Sequence, residues 1–366
     1  MAVARFLTLI TLCAIASAAT TAGQLPSSWP RGTVVFCSEQ GTLQDNRTLA
    51  VLANAKADIG ITWIAIQYMW KMPNATANVV AVESSTPTIG EFESFIKHAH
   101  DAGIEVFLKP IVVAKGGVIM PDLDPSDPTA WGASYEQLIV PTAQMAQRLG
   151  VGALSIGLEL QKIMPNEALW RGIIAKVRAV YPDGQLTYST NPLTDETSAV
   201  PFWDALDFIG VDPYFPFVSP LKPNASLIVT KAQMEQMFAF FLDRNLLTWY
   251  NQSGLKQKMW VTEFGYPSSN KGMQTPWLMP PKGGAGCVGD QAPNMTAQAA
   301  AYEVALAGFA AHPEAFAGVF SFRWAIPGNA DYYGDRNVAG SQWGCGWTCE
   351  GKAGTVAALR SAFSKA

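Results

Sequence analysis

Short apolar runs alternate with amphipathic stretches throughout residues 24–366. Eight of the runs are almost continuously apolar, which is typical of strands that are buried on both faces of a parallel sheet. These eight predicted strands are Thr33–Cys37, Ile61–Gln67, Ile104–Val112, Gly152–Leu158, Gln185–Ser189, Leu206–Asp212, Lys258–Thr262 and Ala317–Phe322. Between them apolar residues recur at helical spacing, as in Phe92, Phe95, Ile96 and Ala99, and Thr355–Phe363 forms a last helical stretch.

Eight strand–helix units in one uninterrupted chain predict an α/β fold, a single-domain (β/α)8 TIM barrel over residues 24–366. The rival fold is an open doubly wound sheet, which usually carries a glycine-rich phosphate turn after its first strand. Here the first strand continues into Cys37-Ser38-Glu39-Gln40-Gly41, which is no such turn. The chain also has no GxxxxGK[ST] loop and no GxSxG elbow. The closed barrel is therefore favoured.

Residues 1–23 have the features of a secretory signal peptide. Arg5 precedes an apolar run from Phe6 to Ile15 that is too short to span a bilayer, and Ala16-Ser17-Ala18 fits a cleavage site. We therefore expect a secreted, extracellular protein with no membrane attachment after cleavage, and a monomer. The candidate N-glycosylation sites are Asn46, Asn74, Asn224, Asn251 and Asn294.

Signal cleavage removes Cys13 and leaves four cysteines, an even number that suits an oxidising compartment. They follow the first, seventh and eighth predicted strands, whose loops are neighbours in a closed barrel. The sequence thus predicts two disulfides and leaves three pairings open among Cys37, Cys287, Cys345 and Cys349.

The composition excludes several classes of function. Charged residues are 15% of the chain, the net charge is −4 and no basic run occurs, so nucleic acid is not expected as a partner. The three histidines, His98, His100 and His312, all lie in predicted outer helices, so no metal site is expected. No cofactor is predicted either.

The active site of a parallel barrel lies at the carboxyl ends of its strands. Glu159 follows the fourth strand and Glu263 the seventh, on opposite sides of the ring, whereas Glu39 and Asp212 are better explained as polar supports. Hydrolysis of a glycosidic bond requires two carboxyl groups in different protonation states. Aromatic residues predicted near these ends suit a sugar substrate; they are Trp70, Tyr214, Trp277, Trp324, Trp343 and Trp347.

Several motifs resemble the family 113 β-mannanases of glycoside hydrolase clan A. The resemblance extends from about Arg31 to the final helix and is clearest between residues 150 and 270. Its motifs are Ser155-Ile156-Gly157-Leu158-Glu159-Leu160, Trp170-Arg171, Val177-Arg178-Ala179-Val180-Tyr181, Leu186-Thr187-Tyr188, Asp207 to Pro216 and Trp260 to Tyr266.

This resemblance implies that Glu159 is the general acid/base, that Glu263 is the nucleophile and that anomeric configuration is retained. The two carboxyl groups should then lie about 5–5.5 Å apart. It also implies that Tyr214 donates a hydrogen bond to the nucleophile and that Trp324 is a sugar platform. Asn191 and Lys109 match polar strand-end positions, and Trp70 is a further candidate for substrate binding. One departure is Leu158, which stands where many clan members have an asparagine that contacts the sugar 2-hydroxyl.

The best hypothesis is therefore a retaining hydrolase of a β-linked polysaccharide or oligosaccharide, β-1,4-mannan above all. The alternatives are another clan A β-glycanase, acting on β-glucan or galactan, and a catalytically inactive barrel that binds glycans. A metal-dependent hydrolase on the same fold is a more distant alternative.

Overall fold

The computed structural model describes residues 23–220, 226–278, 287–326 and 345–364. Residues 1–22 of the predicted signal peptide lie outside these ranges, as do Asn224 and Trp343. The signal peptide therefore stays a prediction.

Eight parallel strands form a closed barrel in which each strand pairs with the next and the eighth pairs with the first. This confirms the predicted fold class. The strands are β1 (Arg31–Cys37), β2 (Trp63–Met72), β3 (Glu105–Ala114), β4 (Ala153–Leu158), β5 (Gln185–Thr190), β6 (Ile209–Val211), β7 (Met259–Phe264) and β8 (Phe316–Phe322).

Helices lie outside the barrel and bury their apolar faces against it. They are α1 (Asn46–Ile59), α2 (Ile89–Asp101), α3 (Pro128–Leu149), α4 (Glu167–Val180), α5 (Glu196–Ala199), α6 (Lys231–Leu242), α7 (Thr248–Ser253), α8 (Met295–Ala310) and α9 (Ala353–Phe363). In the described part of the chain, no helix combines the length and apolar composition needed to cross a bilayer.

Strands β2 and β3 are longer than their sequence patterns predict. They stay in register to the pair Met72 and Ala114, and Lys71 adds an antiparallel bridge to Ala81. Beyond Tyr68 and Leu108 the two strands pair with each other but no longer with β1 or β4. This side of the barrel mouth therefore has a raised wall.

Side chains that point into the barrel form two apolar layers. The lower layer contains Phe107, Phe208, Trp260 and Phe320, and the Phe208 and Trp260 rings stack with centroids 3.9 Å apart. At Gly32 a Cβ atom would lie 2.4 Å from the Phe320 ring, so the packing requires glycine there. A smaller upper layer lies nearer the carboxyl ends of the strands. The lower layer seals the barrel floor and leaves the mouth for a site.

One disulfide is present, between Cys287 and Cys345. The predicted second disulfide is wrong, because Cys37 and Cys349 are both thiols. Cys37 is on the outward-facing side of β1, where its thiol donates to the Glu39 carbonyl oxygen at 3.4 Å. The Cys349 thiol instead donates to the hydroxyl of Tyr302 on α8 at 3.2 Å. The two thiols therefore have different hydrogen-bond partners, one in the loop after β1 and one on α8.

Candidate active site

A cavity of about 330 Å³ lies at the carboxyl ends of the strands, and both Glu159 and Glu263 line it. It reaches the surface beside Ile119 and Trp277, whose exposed fractions are 43% and 38%. Its size is that of an ordinary small-ligand site.

The carboxylate of Glu263 is held by three donors at the end of β7. Its Oε1 accepts hydrogen bonds from Lys109 Nζ at 2.6 Å and from Gln67 Nε2 at 2.9 Å. Its Oε2 accepts from the hydroxyl of Tyr214 at 2.9 Å. The side chain is 7% exposed, towards the cavity. Three donors, one of them a cation, are complementary to an anion and fix the direction in which it points.

Lys109 lies beneath this carboxylate with no exposed surface. Besides Glu263 it contacts Asp212 Oδ1 at 3.4 Å and donates to the Thr262 carbonyl oxygen at 3.1 Å. Thr262 Oγ1 also donates to Asp212 Oδ1, and among the described residues Asp212 Oδ2 has no hydrogen-bond partner. Burial raises the pKa of Asp212, and the Glu263 charge raises it further, while Lys109 opposes the shift.

The end of β4 is irregular, and this irregularity places Glu159. The pairing of β4 with β5 shifts register between Ser155 and Leu158, and Glu159 has a positive φ of 48°. Consecutive residues of a regular strand point to opposite faces. Because the strand is irregular here, Leu158 and Glu159 both line the cavity.

The surroundings of Glu159 differ from those of Glu263. In the described part of the chain its carboxyl group makes no hydrogen bond or ion pair, and its backbone N–H donates to the Ser189 carbonyl oxygen at 2.9 Å. Burial raises the pKa of Glu159 well above its usual value, and the carboxyl groups of Asp212, Glu196 and Glu263 raise it further. The surroundings of Glu159 therefore favour the neutral acid, whereas three donors point at the carboxylate of Glu263.

A buried carboxyl group, Glu196, links the ends of β4 and β5. Its Oε1 accepts from the Tyr188 hydroxyl at 2.9 Å, and that hydroxyl accepts from the backbone N–H of Leu160 at 2.7 Å. Its Oε2 accepts from the backbone N–H of Asn191 at 2.9 Å. Burial raises the pKa of Glu196 to about 7. Glu196 thus ties Asn191 to the chain immediately after Glu159.

Of the five predicted substrate-binding residues, two line the cavity and three do not. Tyr214 and Asn191 line it, whereas Lys109 is fully buried beneath Glu263 and does not. The expectation that Lys109 contacts substrate is therefore wrong. Its ammonium group instead donates hydrogen bonds to Glu263, to Asp212 and to the carbonyl oxygen of Thr262.

Both predicted tryptophan contacts are also wrong. Trp70 is 2% exposed and packs outside the barrel against Tyr68 and Tyr135, because alternate residues of β2 point outward. Trp324 has no exposed surface and belongs to the core between barrel and helices. Phe322, the last residue of β8 and two residues before Trp324, lines the cavity instead.

Sequence reasoning missed Gln67, Phe322 and Glu196. A signal for Gln67 was available, since it is the polar residue that ends the otherwise apolar second predicted strand. Phe322 ends the eighth predicted strand in the same way, but an apolar residue at that position is indistinguishable from core. Glu196 lies on a short helix beyond a strand end, and no spacing in the sequence indicates its contacts.

Among the described residues, no group of three or more His, Cys, Asp or Glu side chains is arranged to hold a metal ion. The site described above consists of carboxyl groups, their donors and apolar side chains.

The sequence profile of Glycoside Hydrolase Family 113 matches residues 33–338 of the chain. A comparison with curated proteins gave no significant match. Among solved structures, a family 113 β-1,4-mannanase is similar with 20% identity and a TM-score of 0.73 over 92% of this chain and 98% of that one.

Two further solved structures show the same fold. The family 113 β-mannanase AaManA from Alicyclobacillus acidocaldarius, in complex with ManMIm, has 24% identity and a TM-score of 0.72, and the match covers 94% of this chain and 99% of that one. A fungal β-1,4-galactanase has 12% identity and a TM-score of 0.53 over 90% and 99% of the two chains.

Proposed function

The chain belongs to glycoside hydrolase family 113, and from this premise we propose that it hydrolyses β-1,4-linked mannosides by double displacement. In this mechanism a carboxylate attacks the anomeric carbon while a carboxylic acid protonates the departing oxygen, and water then releases the sugar. We assign the nucleophile to Glu263 and the acid/base to Glu159. β-1,4-Mannanase activity is named for one similar family 113 structure and β-mannanase activity for another, which supports mannose as the sugar.

One observation carries the proposal: two carboxyl groups share one cavity in opposite electrostatic surroundings. Glu263 accepts from Lys109, Gln67 and Tyr214, which suits an anion that attacks carbon. Glu159 has a raised pKa and no donor among the described residues, which suits an acid that gives up its proton during bond cleavage. Such a pair of environments is what acid and nucleophile roles require.

The buried cation also suits the covalent stage of this mechanism. When Glu263 becomes an ester it loses its charge, and Lys109 loses its nearest anion. Asp212, 3.4 Å from Lys109, is then free of repulsion from Glu263 and can carry the compensating negative charge. We therefore assign Asp212 to balancing charge beneath the nucleophile, with no direct contact to the sugar.

The decisive experiment combines stereochemistry with rescue by azide. Wild-type enzyme acting on 4-nitrophenyl β-mannoside should first release the β anomer, as followed by proton NMR. Glu263→Ala should lose nearly all turnover and, with azide, form the α-mannosyl azide, because azide enters from the face that the nucleophile occupied. Glu159→Ala should instead form the β-mannosyl azide. Glu39→Gln, which changes an exposed carboxyl group that does not line the cavity, is the matched control.

Each other outcome changes the proposal in a definite way. Initial release of the α anomer would overturn double displacement. Turnover on β-glucan or galactan but not on mannan would replace the sugar. Glycan binding without turnover at any pH from about 4 to 8, where such carboxyl pairs work, would favour the inactive binding barrel.

We further propose that the protein is exported and glycosylated. The Cys287–Cys345 disulfide and the exposed positions of Asn46, Asn74 and Asn251 support this proposal. Expression in a eukaryotic secretory host should release into the medium a protein that lacks its signal peptide and loses mass on treatment with an N-glycanase. Retention of the full chain inside the cells would contradict it.

A further inference from the structure

We propose that Tyr188 and Glu196 form a positioning pair, a hydrogen-bonded relay that holds the backbone of Glu159 in the conformation from which its carboxyl group reaches the bridging oxygen of the substrate. This inference rests on the proposed function and assigns two residues that act through the acid/base without touching the sugar. Neither lines the cavity, since Tyr188 has no exposed surface and Glu196 is 4% exposed.

The backbone of Glu159 is in a conformation that needs support. Its φ of 48° lies in the left-handed region, and among the described residues no other residue except glycine has a positive φ. In this region the Cβ atom crowds the following carbonyl oxygen, so that a side chain disfavours it. Such strain persists only where the surroundings over-determine the conformation, and it is concentrated at active sites. The contacts that hold this backbone are therefore part of how the acid/base is aimed.

Two consecutive residues of β5 hold the two amide groups that flank the Glu159 Cα atom. The N–H of Glu159 itself donates to the Ser189 carbonyl oxygen at 2.9 Å. The next N–H, that of Leu160, donates to the Tyr188 hydroxyl at 2.7 Å. Because the peptide groups are planar, fixing both amides fixes φ and ψ between them and so the direction of the side chain. The first contact needs only backbone atoms, whereas the second depends on the side chain of Tyr188.

Glu196 determines how the Tyr188 hydroxyl is used. A tyrosine hydroxyl both donates and accepts, so when it accepts from Leu160 its proton needs another acceptor. Glu196 Oε1 accepts that proton at 2.9 Å, and Oε2 accepts from the Asn191 N–H at 2.9 Å. Both oxygens are acceptors, a pattern that a glutamine amide cannot reproduce because one of its ends is a donor. The relay therefore requires the carboxyl group of Glu196.

Packing leaves the Tyr188 ring little freedom to point its hydroxyl elsewhere. The ring lies edge-on to Trp170 and Phe202, with centroids 5.4 and 5.8 Å away. A Cβ atom on Gly157 would lie 2.8 Å from the Tyr188 ring, so this ring lies directly against the strand that leads to Glu159. A side chain fixed in this way transmits the position of β5 to the end of β4.

Loss of the relay should impair proton transfer and leave the nucleophile in place. Glu263 is held by donors on other strands, which the relay does not contact. A general acid accelerates glycoside cleavage only when the departing oxygen needs a proton. Phenolate needs that proton, whereas dinitrophenolate is stable enough to leave without it. A pair of aryl mannosides therefore distinguishes a displaced acid/base from a generally weakened site.

The test compares phenyl and 2,4-dinitrophenyl β-D-mannoside in the wild type, Tyr188→Phe and Glu196→Gln. In both variants kcat/KM should fall about 10- to 100-fold for the phenyl glycoside, part of what general acid catalysis supplies, and less than about threefold for the dinitrophenyl glycoside. On the dinitrophenyl glycoside kcat and KM should fall together, because Glu159 also activates the water that releases the sugar, and azide should restore kcat. Tyr188→Phe keeps the charge of Glu196 and so separates position from charge.

Tyr181→Phe is the matched control, because it removes another buried hydroxyl, which donates to the Val151 carbonyl oxygen at 2.5 Å just before β4 begins. It should leave the ratio of the two kcat/KM values unchanged. Retained turnover of the dinitrophenyl glycoside also reports that each variant is folded.

Equal losses on both glycosides in Tyr188→Phe and Glu196→Gln, or no loss on either, would overturn the positioning role. Glu159→Ala should show the same selective loss to a larger extent. Absence of the selective loss in Glu159→Ala would reject the acid/base assignment of the proposed function and this inference with it. Its presence there and absence in the other two variants would reject the positioning role alone.

Discussion

Replacing Lys109 by methionine removes a cation that lies, fully buried, 2.6 Å from Glu263 and 3.4 Å from Asp212. At an effective dielectric constant of about 20, the shorter distance corresponds to an attraction of about 6 kcal/mol between the ammonium group and the Glu263 carboxylate. Relief of the ammonium group's own desolvation cancels part of that attraction. Removing one partner of a buried ion pair typically costs about 3–5 kcal/mol, and we expect Lys109→Met to lower the free energy of unfolding by that amount.

Urea unfolding followed by tryptophan fluorescence measures this loss, since the chain has 12 tryptophans. The surface variant Lys97→Met is the matched control. It removes a lysine that pairs with Asp101 in an exposed position, and it should leave the unfolding curve within experimental error.

A double variant separates lost charge balance from lost packing. Lys109→Met with Glu263→Gln removes both members of the closest pair, so it should be more stable than Lys109→Met alone. A cost below about 1 kcal/mol for Lys109→Met, or a double variant whose cost equals the sum of the single costs, would refute the ion-pair reasoning.

Three further predictions concern the hydrogen bond to the nucleophile, the buried carboxyl group and the disulfide. Tyr214→Phe removes one donor to Glu263 and should lower kcat/KM by about 10- to 100-fold, the range for a hydrogen bond to a charged group; a change below threefold would contradict it. Glu196 has a folded-state pKa of about 7, above its unfolded value, so the wild type should lose up to about 3 kcal/mol of stability as the pH rises from about 4.5 to about 7. Glu196→Gln should lack this loss, and urea midpoints that fall equally in both proteins over that window would count against it. The Cys287–Cys345 disulfide spans 58 residues, so Cys345→Ser should lower the free energy of unfolding by up to about 4 kcal/mol, and unchanged thermal unfolding would argue against a stabilising role.

Most of the barrel was predictable from local pattern. All eight strands occur where mostly apolar runs are found, because a strand that is buried on both faces carries mainly apolar residues. The length of β2 and β3 was not predictable from the same rule. Beyond Tyr68 and Leu108 these strands pair with each other, with Ala81 and with Val118, and no longer with β1 or β4.

The site was predictable at the level of strand ends and not at the level of side-chain direction. Glu159 and Glu263 follow strands four and seven, and both line the cavity as residues at those ends can. Trp70 was misplaced because it lies on the opposite face of β2 from Gln67. The sequence does not indicate which face of this strand points into the barrel. Leu158 and Glu159 both face the cavity only because β4 shifts its register with β5. No local sequence pattern indicates this shift.

The sequence by itself determined the order of elements, the closed barrel and the two acidic residues at its mouth, because burial on both faces and strand polarity are local properties of a chain. Only the tertiary structure decided that Lys109 is committed to Glu263 and that Glu196 ties two strand ends together. It also decided that Phe36, Ile111 and Leu158 line the same cavity as Glu159. These are contacts between residues distant in the chain, and their existence depends on strand tilt, register and side-chain direction, which arise only when the barrel closes.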